Sequence, residues 1–218
     1  MEQAKHIQAT ENFVQDTLAL AEAGHDWWHV QRVRSLALKI SQTEGGNLLI
    51  IELAALLHDI ADAKFHQGDE EKGARITGHF LQQQGLSANV TSAVQDIVRR
   101  VSFKGGVPDH LPKSIELKIV QDADRLDALG AVGIARTFHY GGYKNRLLYH
   151  PDILPRKYAS AEEYRASKAP TLNHFYEKLL LLKDQMNTPT GVKIAEKRHA
   201  FMEEYVERFL SEWEGEDI

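Results

Sequence analysis

The sequence lacks cysteine altogether, and its 218 residues carry no excess of positive charge. The absence of cysteine excludes disulfide bonds, thiolate catalysis and cysteine-based zinc sites. The net charge of −5 argues against a surface that coats nucleic acid, because such surfaces are normally basic. No long apolar stretch follows basic residues near the N-terminus, so we expect no signal peptide and, by default, a cytoplasmic location. The apolar run 48–57 is far shorter than the roughly 20 residues of a membrane span, so no membrane partner is expected.

The hydrophobic spacing predicts helices along most of the chain, with no strand-like alternation, internal repeat or low-complexity linker. We therefore predict one all-α domain over residues 1–218, with a core at about 24–135 and C-terminal helices at about 160–213. The predicted helices cover about 6–23, 25–43, 48–57, 69–84, 87–101, a segment that begins near Pro112 and contains Asp124, 160–186 and 191–213. The segment from about 141 to 158 has no clear period, and irregular segments of that length are usually functional or mobile.

The pair His58-Asp59 stands at the end of the apolar run Leu48–Leu57, in which Glu52 is the one charged residue. A run that is apolar on every face predicts a buried helix. An ionised carboxylate in such a place is normally paired or bound to a metal, because its burial alone is costly. The two residues lie about 100° apart on a helix, so both reach one ion only if it lies over the groove between them.

Two further predicted helices carry ligand-type residues where core is expected. His29 precedes Val33 and Ile40 on an apolar stripe, and Asp124 shares a face with Val120. A single buried histidine is more often a hydrogen-bonded core residue than a ligand, and Asp124 alone could equally pair with an arginine. Taken together, the helices supply two imidazoles and two carboxylates, which favours a metal site.

The order His29, His58-Asp59, Asp124 resembles the H…HD…D signature of the HD-domain metal-dependent phosphohydrolases. The resemblance covers most of the chain, from the stretch 25–29 through 124–130 to 136–142. These stretches resemble the bacterial nucleotide pyrophosphohydrolase-like subgroup of the family. It implies a compact all-α HD-domain bundle. It also implies one divalent ion held by His29, His58, Asp59 and Asp124. The donor set suits Mn²⁺ best, while Mg²⁺, Fe²⁺, Co²⁺ and Ni²⁺ remain open.

The resemblance also suggests residues for catalysis, with Asp62 as general acid or base and Lys64 as a phosphate-contacting cation. The alternative for both is ordinary loop solvation. His25 shares a helical face with His29 and is a further acid–base candidate, although it could simply begin the helix. Some HD phosphodiesterases hold two metals through later histidines, but this chain has Val98-Arg-Arg-Val at that place. This departure favours one metal and puts cyclic-dinucleotide phosphodiesterase activity in doubt.

A polyphosphate substrate also needs cations, and a base needs an aromatic surface. The candidate substrate-binding residues are Lys64, Arg100, Lys104, Asp127, Arg136 and Tyr140. Most cations of this kind are simply solvated, and Asp127 could instead pair with an arginine.

The resemblance implies a small phosphorylated metabolite of the nucleotide class as the partner, and no nucleic acid polymer. The first hypothesis is hydrolysis of a nucleoside or deoxynucleoside triphosphate to monophosphate and pyrophosphate. The alternatives are a phosphomonoesterase of the 5′-nucleotidase type and a metal- or nucleotide-binding regulator without turnover. The oligomeric state is left open.

Overall fold

The computed structural model describes residues 2–19, 26–61, 71–101, 111–158, 163 and 166–216. Helices dominate these residues and none of them lies in a strand, which confirms the predicted all-α class. Over the same residues, no helix combines the length and the apolarity needed to cross a membrane. The α-helices are α1 Glu2–Leu18, α2 Trp27–Glu44, α3 Leu48–Leu57, α4 Lys72–Gln83, α5 Ala88–Arg100, α6 Ile115–Asp127, α7 Gly130–Tyr143, α8 Asn173–Glu177 and α9 Pro189–Glu214. A 3₁₀ helix covers Leu179–Gln185.

The chain divides into two compact units. The first contains residues 1–103 and 109–124, and the second contains residues 104–108 and 125–218. The single-domain organisation that the sequence suggested stays a prediction.

Helix α3 is the centre of the first unit and packs against α1, α2 and α5. From Ile51 to Leu57 all of its apolar side chains are fully buried, whereas Leu48 at its N-terminus is 58% exposed. Full burial of one such side chain contributes roughly 1.5–3 kcal/mol. The one charged residue of the helix, Glu52, accepts hydrogen bonds from Nε and Nη2 of Arg34 on α2 at 2.9 and 2.5 Å. Arg34 also pairs with Glu11 on α1, so one guanidinium joins three helices.

Short polar side chains set the starts of the helices in the first unit. The Asp26 carboxylate accepts from the His29 backbone N–H, and Ser87 accepts in the same way from Val90. The two helices begin within about two residues of the starts predicted at 25 and 87. Side-chain caps of this kind typically contribute about 1 kcal/mol each to stability. Helix α2 ends at Gly45, whose φ of +81° favours glycine.

Four elements make up most of the second unit: α7, α8, the 3₁₀ helix and α9, with α9 packed against both α7 and the 3₁₀ helix. Aromatic rings fill the space between them. Phe138 of α7 lies 5.9 Å from Phe175 of α8 and 6.0 Å from Phe209 of α9, measured between ring centroids. Tyr205 and Trp213 extend the cluster along α9. Aromatic pairs at these distances add about 0.5–1.5 kcal/mol beyond area burial.

Several predicted helix boundaries are wrong. Helix α6 begins at Ile115 behind the Ser114 cap, and Pro112 lies outside it. The predicted helix 160–186 is replaced, within its described part, by α8 and the 3₁₀ helix. Pro170 explains part of this difference, because proline interrupts helical hydrogen bonding. The neighbouring backbone N–H groups of Thr171 and Leu172 instead donate to the carbonyls of Leu147 and Leu148.

The irregular segment is shorter than predicted, because α7 continues to Tyr143. Gly141 therefore lies inside a helix, where a Cβ would come within 2.2 Å of the Thr171 hydroxyl oxygen. Helix α4 begins at Lys72, and the predicted start at about 69 falls outside the described residues.

Candidate metal centre

Two helix ends of the first unit bring His29, His58 and Asp59 together. Nε2 of His29 lies 3.2 Å from Nε2 of His58 and 3.8 Å from Oδ2 of Asp59. The possible ligand atoms of the three residues all lie within 4.8 Å of one another. The exposed fractions of His29, His58 and Asp59 are 2%, 7% and 9%, so the three residues lie in the interior.

A fourth side chain, Asp124 of α6, approaches both imidazoles. Its Oδ1 lies 3.6 Å from Nε2 of His29 and 3.8 Å from Nε2 of His58. Asp124 is 29% exposed, which leaves one side of the cluster open to solvent. The four residues that the sequence singled out therefore do converge, from three helices of the same unit.

Backbone contacts hold the two histidines in place. His29 lies in the first turn of α2, and its N–H is fixed by the Asp26 cap at 2.8 Å. His58 directly follows α3, and its Nδ1 lies 2.8 Å from the Ala55 carbonyl oxygen. A carbonyl only accepts, so Nδ1 of His58 carries a proton, and Nε2 of the neutral ring presents its lone pair to His29. The acceptor three residues before His58 was not anticipated from the sequence.

The spacing of the four side chains fits a shared cation. Ligand atoms about 2.1 Å from one ion lie roughly 3.0 Å apart at right angles and roughly 3.4 Å apart in a tetrahedron. The observed separations of 3.2–3.8 Å are of this size. A proton shared by the two imidazoles could also explain their contact. The approach of two carboxylates to the same pair of imidazoles concentrates negative charge, which a divalent cation would neutralise.

Arg100, Asp127 and Arg136 are engaged with other protein groups. Arg100 pairs with Asp96 at 2.9 Å and donates to the Leu111 and Pro112 carbonyls at 3.1 Å. In the second unit, Nη1 of Arg136 lies 2.7 Å from Oδ2 of Asp127, which is the ion pair weighed as the alternative for that carboxylate. A substrate role for these residues stays a prediction.

Tyr140 belongs to a group of rings and cations at the end of α7. The Lys144 ammonium lies 5.5 Å from the Tyr140 ring centroid and 4.7 Å from that of Tyr143. The Arg146 guanidinium lies 5.9 Å from the Tyr140 centroid. A cation within about 6 Å of a ring is attracted to its face. The group offers both aromatic surface and positive charge.

The remaining candidates, His25, Asp62, Lys64 and Lys104, fall outside the described residues, and their roles stay predictions.

Comparison with known proteins gives consistent relatives. The HD-domain family model matches residues 27–129, a range that contains all four converging side chains. The uncharacterised protein YpgQ of Bacillus subtilis is 38% identical over 218 residues, covering 100% of this chain and 98% of YpgQ. The crystal structure of an HD-superfamily hydrolase from Bacillus thuringiensis aligns with a TM-score of 0.76 at 44% identity, covering 97% of this chain and 98% of that one. A crystal structure of YpgQ in complex with ADP aligns with a TM-score of 0.76 at 36% identity, covering 97% and 96% of the two chains.

Proposed function

Because the chain belongs to the HD-domain family and is a hydrolase of that superfamily, we propose that it is a metal-dependent nucleotide pyrophosphohydrolase. The reaction is the addition of water to the α-phosphorus of a nucleoside or deoxynucleoside triphosphate. The bond from that phosphorus to the α,β-bridging oxygen breaks, so that monophosphate and pyrophosphate leave and a proton is released. We propose with it that the chain belongs to the nucleotide pyrophosphohydrolase-like subgroup.

The observation that carries the proposal is the convergence of His29, His58, Asp59 and Asp124 within 3.2–3.8 Å contacts. We propose that these four residues hold one divalent ion. Mn²⁺ is the first candidate, because imidazole together with carboxylate suits that part of the first transition row. When bound, the ion would act as a Lewis acid on a phosphoryl oxygen and lower the pKa of a water molecule.

The residues of the chain supply the fixed geometry that this chemistry requires. The Ala55 carbonyl keeps Nδ1 of His58 protonated, so its Nε2 is available as a donor atom. The Asp26 cap fixes the turn that carries His29. Solvent reaches the cluster on the side of Asp124, where a phosphoryl group and a water molecule could enter. The predicted role of Tyr140 in substrate binding remains part of the proposal, because its ring offers an aromatic surface for a base.

A nucleotide substrate is supported by the relative YpgQ, which has been crystallised in complex with ADP. The net charge of −5 is consistent with a small phosphorylated metabolite as partner rather than a nucleic acid polymer. A cation-lined patch such as the one around Tyr140 and Lys144 can still attract phosphate locally.

The test is product analysis on single deoxynucleoside triphosphates with Mn²⁺, with separate assays for pyrophosphate and orthophosphate. Stoichiometric pyrophosphate and monophosphate support the proposal. Orthophosphate alone indicates a phosphomonoesterase, and nucleotide binding without turnover indicates a regulator. Asp59→Ala should abolish activity with helical content nearly unchanged. The exposed His79→Gln on α4 serves as the matched control with full activity.

A further inference from the structure

Arg198 of α9 contacts the C-terminal end of α6. Its Nη1 donates a hydrogen bond to the carbonyl oxygen of Leu126, in the last turn of the helix. The last carbonyls of a helix lack partners within it and take up donors from elsewhere. Leu126 also accepts from the Leu129 N–H at 3.1 Å, so the guanidinium is a second donor to the same oxygen.

A buried carboxylate, that of Asp127, lies in the same turn of α6. Asp127 is 2% exposed. Nη1 of Arg136 donates to Oδ2 of Asp127 at 2.7 Å and to the backbone carbonyl oxygen of Asp127 at 3.2 Å. Burial lowers the pKa of Arg198, and the charge of Asp127 acts to raise it. Arg136 and Arg198 thus both donate to backbone carbonyls at the C-terminal end of α6, where positive charge is favourable.

The side chain stem of Arg198 lies against the junction between α6 and α7. Gly130 begins α7 with a φ of +76°, a conformation that favours glycine. A Cβ at this glycine would lie 3.1–3.4 Å from the Cγ, Cβ and Cδ atoms of Arg198. The arginine is therefore packed along its length as well as hydrogen bonded at its end.

We infer that Arg198 is a positioning residue for the proposed hydrolysis, because its guanidinium fixes the last turn of the helix that carries Asp124. The inference rests on the proposed function. Asp124 and Asp127 are three residues apart on α6, one turn from each other. Helix ends commonly fray by one or two residues, and metal centres require their side chains to be held within about 0.5 Å. A clamp on the terminal turn limits fraying in the turn next to Asp124.

The experiment compares Arg198→Met, Arg198→Lys and the control Arg208→Met, an exposed arginine on the same helix. Calorimetry with Mn²⁺ alone gives the metal dissociation constant, and steady-state kinetics with a deoxynucleoside triphosphate give kcat and KM. For Arg198→Met we expect Mn²⁺ affinity and kcat to fall about tenfold, the lower end of what removing groups that support metal ligands causes. KM should change less than about twofold, since the substrate contacts are retained. Arg198→Lys should recover part of the loss, and Arg208→Met should match the unmodified chain.

A purely structural role would lower the melting temperature without changing the metal affinity of the folded protein. Arg198→Met that folds and binds Mn²⁺ like the unmodified chain therefore overturns the inference. If Arg198→Met does not fold, Arg198→Lys and Asp127→Asn are measured instead, and unchanged Mn²⁺ affinity in both overturns it equally. Unmodified protein that binds Mn²⁺ but hydrolyses no nucleotide refutes the proposed function, while the Mn²⁺ measurement still tests the role of Arg198. Unmodified protein that binds no Mn²⁺ refutes both.

Discussion

The Nε2 atom of His29 faces the Nε2 atom of His58 across 3.2 Å, and the other ring nitrogen of His58 is occupied by the Ala55 carbonyl. When both imidazoles are neutral, the two facing Nε2 atoms carry at most one proton between them. Oδ2 of Asp59 lies 3.8 Å from Nε2 of His29, and Oδ1 of Asp124 lies 3.6 Å from Nε2 of His29 and 3.8 Å from that of His58. A cation at the common point of these groups would satisfy all four, so we expect the stability of the fold to depend on metal.

The first prediction is that Mn²⁺ raises the melting temperature and that His58→Ala removes the effect. A ligand at 100 times its dissociation constant stabilises the native state by about 2.7 kcal/mol. For a chain of this length that corresponds to a rise of about 5–10 °C. Differential scanning calorimetry with Mn²⁺ and with EDTA measures it, and His79→Gln should retain the full rise. A rise of equal size in His58→Ala would show that the ion binds elsewhere.

The second prediction concerns Asp124→Asn, which keeps the shape of the side chain and removes its charge. We expect Mn²⁺ affinity to fall at least about tenfold, because a carboxylate ligand is replaced by a weaker neutral one. The melting temperature in EDTA should stay the same or rise slightly, since one partly buried negative charge beside Asp59 is gone. Isothermal titration calorimetry and a thermal scan in EDTA measure both quantities. Unchanged Mn²⁺ affinity would remove Asp124 from the site.

Local sequence signals predicted much of the first unit. The apolar run ending at Leu57 predicted a buried helix, and helices were predicted to start at about 25 and 87, next to Asp26 and Ser87, whose side chains act within three residues. The C-terminal half was predicted less well. Its chain path depends on contacts distant in sequence, such as the hydrogen bonds from Thr171 and Leu172 to Leu147 and Leu148. Hydrophobic spacing alone does not contain that information.

The candidate site, like the fold, was predicted in part from the sequence. The convergence of its four side chains agrees with the sequence analysis, which found ligand-type residues where core is expected, and their role as metal ligands stays a prediction. The proton position on His58 depends on the Ala55 carbonyl, and only the end geometry of α3 reveals it. The partner of Asp127 was left open by the sequence, because Arg136 lies 9 residues further along the chain. Ion pairs of charged side chains cannot be assigned from spacing at such distances.

The third prediction is that Arg34→Met destabilises the fold by about 1–3 kcal/mol, between the values for exposed and for buried ion pairs. Arg34 is 20% exposed and joins Glu11 and Glu52, so its loss leaves two carboxylates facing each other without a cation. Urea unfolding measures the change, with the exposed Lys39→Met on the same helix as the control. A double-mutant cycle with Glu52→Gln should show coupling of at least about 0.5 kcal/mol. Additive effects of the two substitutions would mean that the bridge contributes nothing to stability.

The fourth prediction is a pH dependence that originates at Glu116 in the first turn of α6. Burial raises the pKa of Glu116, but hydrogen bonds from the backbone N–H groups of Asn47 and of Glu116 itself, and from Ser114, together lower it below the ordinary value of 4.5. The Asn47 N–H lies 3.0 Å from its Oε1. Because the folded chain favours the ionised form, this group stabilises the fold fully above the unfolded pKa, and the stabilisation is lost as pH falls through the folded pKa.

Glu116→Gln should therefore lower the free energy of unfolding at pH 7, and the difference from the unmodified chain should shrink as pH falls below about 4.5. Urea unfolding at pH 7, 5, 4 and 3 measures this difference. Glu204→Gln, at an exposed position on α9, is the charge-matched control and should give no comparable convergence at low pH. If the difference between Glu116→Gln and the unmodified chain is the same at every pH, the carboxylate is not held in its ionised form by Asn47. The contact would then contribute only as a neutral hydrogen bond, which glutamine can replace in part because its amide oxygen also accepts.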